Sequence, residues 1–414
     1  MGFGGTRPLE GVRVLDLSRV LAGPVCSMVL ADLGAEVIKV ERPGKGDDTR
    51  EWGPPFIEEP EGLRGMSAYF AAVNRNKRSI TLDIAKPRGQ EVLRRLLERS
   101  HVLLENFLPA AVSKFGISPE NLQAINPRLI VCSISGFGRS GPWAELPGYD
   151  YVVQALSGLM SITGEPDGRP IKVGVALTDV LTGLYGAVSI VALLHRQRGE
   201  ELSRSGAPAS VAESRVNHID LALLDCTLAS LVNVVQSYLV TGQRPARYGN
   251  AHPQIVPYEC FQTRDGYIVL AVGNDDQFRR FCLAVGREEL ARDSRFTTNP
   301  QRVIHRVELV TKLKQILESD RTSVWTERLE QAEVPHAPVL PLDETLALPQ
   351  IAARRMVVVT PDGLRMVASQ IKLDGELPPD PSAPPKLGEH TEEVLCELGF
   401  PPTAFHELHA AGIV

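Results

Sequence analysis

The chain has no CxxC pair, no HxxxH or HExxH spacing and no GxSxG among its 414 residues, and no GxGxxG follows its first predicted strand. Each absence removes a chemistry. Nine histidines without ligand spacing give no basis for metal-assisted hydrolysis, so no metal site is expected. Without a nucleophile elbow there is no serine-hydrolase reading. Ser18–Pro24 stands where a dinucleotide fingerprint would be, which argues against a nicotinamide or flavin enzyme. The six cysteines form no framework, and a chain of this length needs none; most of them read as small buried hydrophobes in a reducing compartment. A basic excess is also missing. The net charge is −6, so neither nucleic acid nor a membrane surface is an expected partner, and an anionic ligand must find a local basic cluster. Met1–Pro8 has no apolar signal region, and the longest apolar run, Val180–Leu194, is short for a span and carries glycines. No membrane association is expected; the expected compartment is the cytoplasm or the mitochondrial matrix, not the exterior.

What is present is ordinary globular material, 43% hydrophobic and 23% charged, in a length that suggests two domains. Val12–Leu17, Val37–Val40, Val102–Leu104 and Leu129–Ile134 read as buried strands. Between them Val25–Leu33, Gly89–Arg99 and Pro119–Ile125 read as helices. That alternation predicts a parallel α/β sheet, whose ligands bind at the carboxyl ends of the strands. Glu200–Ser214 is small, polar and aperiodic, and is expected to be a flexible insertion. A strand at His218–Leu223, a helix at Asp225–Leu239 and a strand at Tyr267–Val272 follow. The pattern is then mainly helical to Glu333, and a Pro-rich stretch leads to a terminal helix capped by Thr391. The expected division is a large α/β domain over 1–205, a small domain over 222–335, and a return to the large domain over 336–414.

Asp179 stands out. It joins the strand-like Val173–Thr178 to the apolar run Val180–Leu194, where a helix N-terminus favours an ionised carboxylate. A free aspartate, with a pKa of about 3.9, is charged at neutral pH and can serve as an oxygen nucleophile. The plain alternative is a helix cap. Elsewhere, Glu41 and Arg42 end the second strand, leaving open whether an acid faces a ribose hydroxyl or an arginine a phosphate. Asn74–Arg78 carries three cations and reads either as a ligand cluster or as a solvated turn. Gly136–Pro142 presents backbone N–H groups to an anion or is a simple loop.

Taken together, Pro8–Asp16, Leu21–Pro24, Leu33–Pro43, Asn74–Ser79, Glu105–Phe107, Pro147–Asp150, Thr178–Asp179 with Thr182–Gly183, and Leu387–Thr391 resemble the class III CoA-transferases of the CaiB/BaiF type. Within that family the chain is most similar to the succinate–hydroxymethylglutarate CoA-transferase branch. The resemblance implies a Rossmann-like large domain, a smaller α+β domain and an interlocked, ring-like homodimer. It implies transfer of CoA from a dicarboxylyl-CoA to a free dicarboxylic acid through an aspartyl anhydride and an aspartyl-CoA thioester, with CoA as substrate carrier and no tightly bound cofactor. Asp179 matches the catalytic aspartate. Val20, Leu21, Ala22, Arg42, Leu82, Asn106, Phe107 and Lys114 match CoA contacts, and Ala85 and Lys114 depart from the lysine and arginine of other members. Arg19, Arg75, Arg247 and His252 are the candidates for the acid's second carboxylate. The alternative in the same fold is an α-methylacyl-CoA racemase, which pairs its aspartate with a histidine where this chain has Tyr149.

Overall fold

The computed structural model describes residues 7–58, 64–204, 217–376 and 379–414. The chain divides into two compact units. The first comprises Met1–Leu159, Val173–Leu239 and Ala353–Val414, the second Met160–Lys172 and Val240–Ala352.

In the first unit the strands are β1 (Arg13–Asp16), β2 (Glu36–Glu41), the hairpin pair β3 (Phe56–Glu58) and β4 (Arg64–Ser67), β5 (Lys77–Thr81), β6 (Val102–Glu105), β7 (Ile130–Ser135) and β8 (Asn217–Ala222). Six of them form one parallel sheet in the order β5-β2-β1-β6-β7-β8. The order reverses between β1 and β6, the doubly wound arrangement that opens a crevice at the carboxyl ends of those two strands. Both faces are covered. Val92, Leu93, Leu96 and Leu97 of the helix Pro87–Glu98 bury one face with Leu15, Ile38, Leu103 and Val131. Val14, Val37, Leu104 and Cys132 point the other way, onto the helices Ala22–Asp32 and Leu177–Arg204. Strands β6 and β7 are buried along nearly their whole length, which is why their sequences are largely apolar and lack alternation.

The second unit has a three-stranded antiparallel sheet, β9 (Tyr258–Gln262), β10 (Tyr267–Ala271) and β11 (His336–Pro338), in the order β11-β10-β9. Helices Asp275–Ala284, Arg306–Leu317 and Thr322–Gln331 bury Phe278, Phe281, Leu309, Leu313 and Trp325 against it. Arg302 lies wholly within this core, where Val256 O, Phe296 O and the Asp275 carboxylate take its guanidinium. A last pair in the first unit, β12 (Val357–Val359) and β13 (Arg365–Val367), precedes the terminal helices Thr391–Glu397 and Ala404–Ala410.

The structure departs from expectation in several places. The small unit begins at Val240 rather than at 222, takes in Met160–Lys172, and gives the chain back at Ala353 rather than at 336. The expected helix Asp225–Leu239 is two helices, Leu223–Ser230 and Val232–Thr241, bent by 79° around Val232 at φ 38°. The helix Leu177–Arg204 runs through the start of the supposed insertion, whose remainder lies outside the described residues. The run Val180–Leu194 is thus part of a longer helix, and Leu177–Glu200 is long and apolar enough to cross a membrane by length and composition. Within the first unit that helix packs on Ala22–Asp32 and buries Ala187 and Ile190. Thr391 does not cap the terminal helix; the cap position is His390, and the Thr391 hydroxyl donates to Gly388 O.

Candidate active site

The carboxyl ends of β1 and β6 are tied together by side chains. The Asn106 amide accepts from Arg19 N at 3.1 Å and donates to Arg19 O at 2.9 Å. Val20 follows with φ 72°, a left-handed conformation that costs a β-branched residue free energy and persists only where its surroundings enforce it. Asp47 does the enforcing. Both its carboxylate oxygens accept from Val20 N at 3.3 Å, and Lys39 Nζ pairs with it at 2.9 Å while donating to Ser18 O. Burial opposes charge on Asp47, but Lys39 and the Thr49 donors outweigh it and hold the acid down at about 2. Beneath, Asp16 accepts from Ser18 and Ser27 and faces Lys77. Burial pushes the Lys77 ammonium down to about 8 against the pull of Asp16. A buried, mutually paired network therefore carries the turn Ser18–Ala22, whose middle residues Arg19 to Leu21 are half-buried.

Beside that turn lies a pocket of about 350 Å³, lined by Arg19, Arg42, Leu82, Ala85, Phe107, Lys114 and Phe115 among others. Phe107 and Phe115 meet edge to face at 5.1 Å. Glu41 is unavailable to a ligand, because Arg50 holds it with two hydrogen bonds at 2.7 and 2.6 Å and Ser79 adds a third. Arg42 stands exposed on the pocket, its one ion pair among the described residues being with Asp48 at 3.7 Å. The choice left open by the sequence falls to the arginine, and the pocket is basic.

Asp179 lies in the first turn of Leu177–Arg204 and is not its cap. The segment before it, Val173–Ala176, is irregular and not a strand. The helix N-terminus is served instead by Asp150, whose Oδ1 accepts from Thr178 N at 2.9 Å and Thr178 Oγ1 at 2.8 Å. Gln154 donates to the other oxygen of Asp150 and accepts from Val173 N. Among the described residues the Asp179 carboxylate has no hydrogen bond or ion pair. Burial first, then the Asp150 carboxylate, push it up to about 7, the reverse of the freely ionised group expected from the helix dipole. One turn on, Gly183 lets the two helices touch: a Cβ there would stand 2.5 Å from Ala22 O. Asp179 thus shares a helix face with the contact to Ala22, at the end of the turn that begins on the pocket at Arg19.

Of the predicted contacts, Arg42, Leu82, Phe107 and Lys114 line the pocket. Val20, Leu21, Ala22 and Asn106 form or brace its edge rather than its lining. Arg19, a candidate for the acid, lines this pocket and pairs with Asp48 at 2.9 Å. Arg75 is buried, held by Asp32 and Val367 O, so its charge is consumed inside the fold. The run Asn74–Arg78 is mostly interior, not a solvated turn. Lys86 turns away to the carbonyls of Ala411 and Gly412. In the second unit Arg247 closes a turn by donating to the carbonyls of Glu165, Pro166 and Gly168. His252 Nδ1 accepts from Gln254 N, and burial and Arg306 lower its pKa. In the loop Gly136–Pro142, Gly138 N donates to Ser135 Oγ and Arg139 N to the Asp220 carboxylate, so these two amides are already engaged. Sequence reasoning missed Tyr69, whose phenol is pushed up to about 12 by burial and then by Asp179, Asp150 and Asp47. It stands in a short helix with no chemical motif; only its place before the buried Asn74–Lys77 run was a signal.

The model of CoA-transferase family III matches residues 9–391. A succinate–glutarate CoA-transferase of Agrobacterium fabrum is 46% identical, over 94% of this chain and 96% of its own. The human succinyl-CoA:glutarate CoA-transferase is 40% identical, over 99% and 90%. A crystal structure of a CaiB/BaiF family protein from Brucella suis superposes with a TM-score of 0.83 at 42% identity, covering 95% of this chain and all of that one. With Asp179 unpartnered at a helix start and a basic pocket at the switch point, these matches identify the chain as a CoA-transferase belonging to family III.

Proposed function

We propose that the enzyme moves CoA between succinyl-CoA, or another dicarboxylyl-CoA, and a free dicarboxylic acid such as glutarate, with Asp179 as the nucleophile. The observation that carries the mechanism is the Asp179 carboxylate itself, without a hydrogen-bond or ion-pair partner among the described residues while Asp150 takes the Thr178 donors. The acid class rests on the names of the relatives. The nucleotide end of CoA enters the basic pocket, its phosphates facing Arg42, Arg19 and Lys114 and its base the aromatic pair Phe107 and Phe115. The pantetheine arm then follows Val20, Leu21 and Ala22 to Asp179.

The carboxylate oxygen of Asp179 attacks the thioester carbonyl. The C–S bond breaks, leaving an acyl-aspartyl anhydride and the CoA thiolate. The thiolate attacks the aspartyl carbonyl, releasing the first acid as carboxylate and leaving an aspartyl-CoA thioester. The acceptor carboxylate reverses both steps. CoA held at its far end keeps the thiolate beside the anhydride, an advantage worth about 7–11 kcal/mol. The racemase reading has no comparable support, since Tyr149 stands exposed where that chemistry needs a histidine. We also propose that the enzyme is a homodimer.

Mixing succinyl-CoA with glutarate and following glutaryl-CoA by mass spectrometry tests this reading, with Asp179→Ala beside wild type. Exchange should vanish in the variant at unchanged CoA binding. Near-wild-type turnover in Asp179→Ala would remove the mechanism, and turnover of butyrate equal to that of glutarate would remove the acid class.

A further inference from the structure

We infer that Arg139 is a positioning residue for CoA, acting through Glu105 on Phe107. The inference rests on the reading of the basic pocket as the CoA site. Arg139 does not line that pocket. Its guanidinium borders a separate cavity of about 290 Å³ with Ser133 and His218, so it touches no ligand in the CoA pocket. It makes an ion pair with Glu105 Oε1, and Glu105 is buried at 2% exposure. The other oxygen of Glu105 accepts from Phe107 N at 2.8 Å. The Arg139 backbone is itself fixed, its N–H shared between the two oxygens of Asp220 at 3.2 and 3.0 Å.

These contacts form one line, from Asp220 on β8 through Arg139 and Glu105 to Phe107, whose neighbour Asn106 holds the Arg19 backbone. The Glu105 carboxylate, oriented by the part-buried Arg139 guanidinium, sets the Phe107 amide by a charge-assisted hydrogen bond. Without the arginine, the buried Glu105 carboxylate loses this ion-pair partner. Its side chain is no longer held in place, and Phe107 loses its fixed direction. The motif residues Glu105 to Phe107 thus depend on a loop that nothing in the motif names.

The test uses the intact enzyme, with free CoA binding by calorimetry and KM and kcat for succinyl-CoA and glutarate. Arg139→Met should weaken free CoA binding and raise KM for succinyl-CoA about tenfold, the scale of one charge-assisted hydrogen bond. KM for glutarate and kcat at saturation should stay within about twofold. Arg139→Lys should recover part of the loss, because it restores the charge without the fork. If Arg139→Met does not fold, Glu105→Gln/Arg139→Met removes both charges while leaving an acceptor for Phe107 N–H, and should bind CoA more tightly than Glu105→Ala. A lower melting point with unchanged CoA affinity in Arg139→Met overturns the inference. A wild-type protein that binds no CoA overturns the reading beneath it instead.

Discussion

Asp179 is held between two opposed demands. A nucleophile must be ionised, yet burial and Asp150 favour its proton and bring it to about 7. A carboxylate of that basicity is a stronger nucleophile than a solvated one and is still half ionised near neutrality. For the free enzyme, kcat/KM for succinyl-CoA should therefore fall as pH drops through about 7. Asp150→Asn keeps an oxygen acceptor for Thr178 but removes the charge, so the acid limb of the profile should move to lower pH. An unmoved limb would mean that Asp150 does not tune the nucleophile. Stability should run the other way. The unfolded aspartate has a pKa of about 3.9, so between there and about 7 the unfolded state binds fewer protons than the folded one. The contribution of this group falls as pH rises across that window and stays low above it. Asp179→Asn should accordingly melt above wild type at pH 8, with the gap closing below pH 4. The position of Asp179 at a helix start was legible in the sequence. Its pKa was not, because burial, the larger cause, is set by the tertiary fold, and the second cause, Asp150, lies 29 residues earlier.

At the scale of elements, the site depends on how closely two helices meet. Gly183 faces Ala22 O and Gly186 faces Cys26 Sγ, at 2.5 and 3.1 Å from the positions a Cβ would take. The carbonyl oxygen cannot yield as a side chain tip can, so Gly183→Ala must push the helices apart, an overpacking cost of about 1–3 kcal/mol. Asp179 lies one turn away on the same face, and a misplacement of about 1 Å can cost roughly 100-fold in rate. Gly183→Ala should lose kcat out of proportion to its loss of stability. Gly199, on the same helix with open space around it, is the control. Gly199→Ala should be neutral or slightly stabilising, since alanine is the better helix former by up to about 1 kcal/mol. Equal effects at both glycines would exclude a packing cause. Five of the six strands of the parallel sheet and their flanking helices were legible, β5 being the exception, because buried strands and amphipathic helices announce themselves by composition and period. The polar run Asn74–Lys77 misled for the converse reason: its partners Asp32, Pro24 and Asp16 are remote in sequence, so no local pattern tells a buried charge from a solvated one.

At the scale of the molecule, the first unit shows more apolar surface than a finished monomer ordinarily leaves. Tyr185 and Val188 on the helix Leu177–Arg204, Tyr151, Val152 and Leu156 on Asp150–Leu156, and Val232 and Leu239 on Val232–Thr241 are all exposed, Val188 at 68%. Two of these helices carry or cap the nucleophile, so whatever covers them bears on Asp179. A lipid bilayer would satisfy the length of Leu177–Glu200, but the same helix gives its other face to the core beside Ala187 and Ile190. A second copy of the chain fits the aromatic and aliphatic mixture of this surface, which is the composition of obligate interfaces. Sedimentation should find a dimer at micromolar concentration, and mixed isotopically labelled dimers should exchange chains very slowly without denaturant if the subunits interlock. Val188→Glu should shift the population toward monomer and aggregate and lower activity with it, because a charge buried in an interface without a partner costs several kcal/mol. A stable, fully active monomer of the wild-type chain would contradict the assembly, and co-sedimentation with lipid vesicles would assign the exposed face to a bilayer instead.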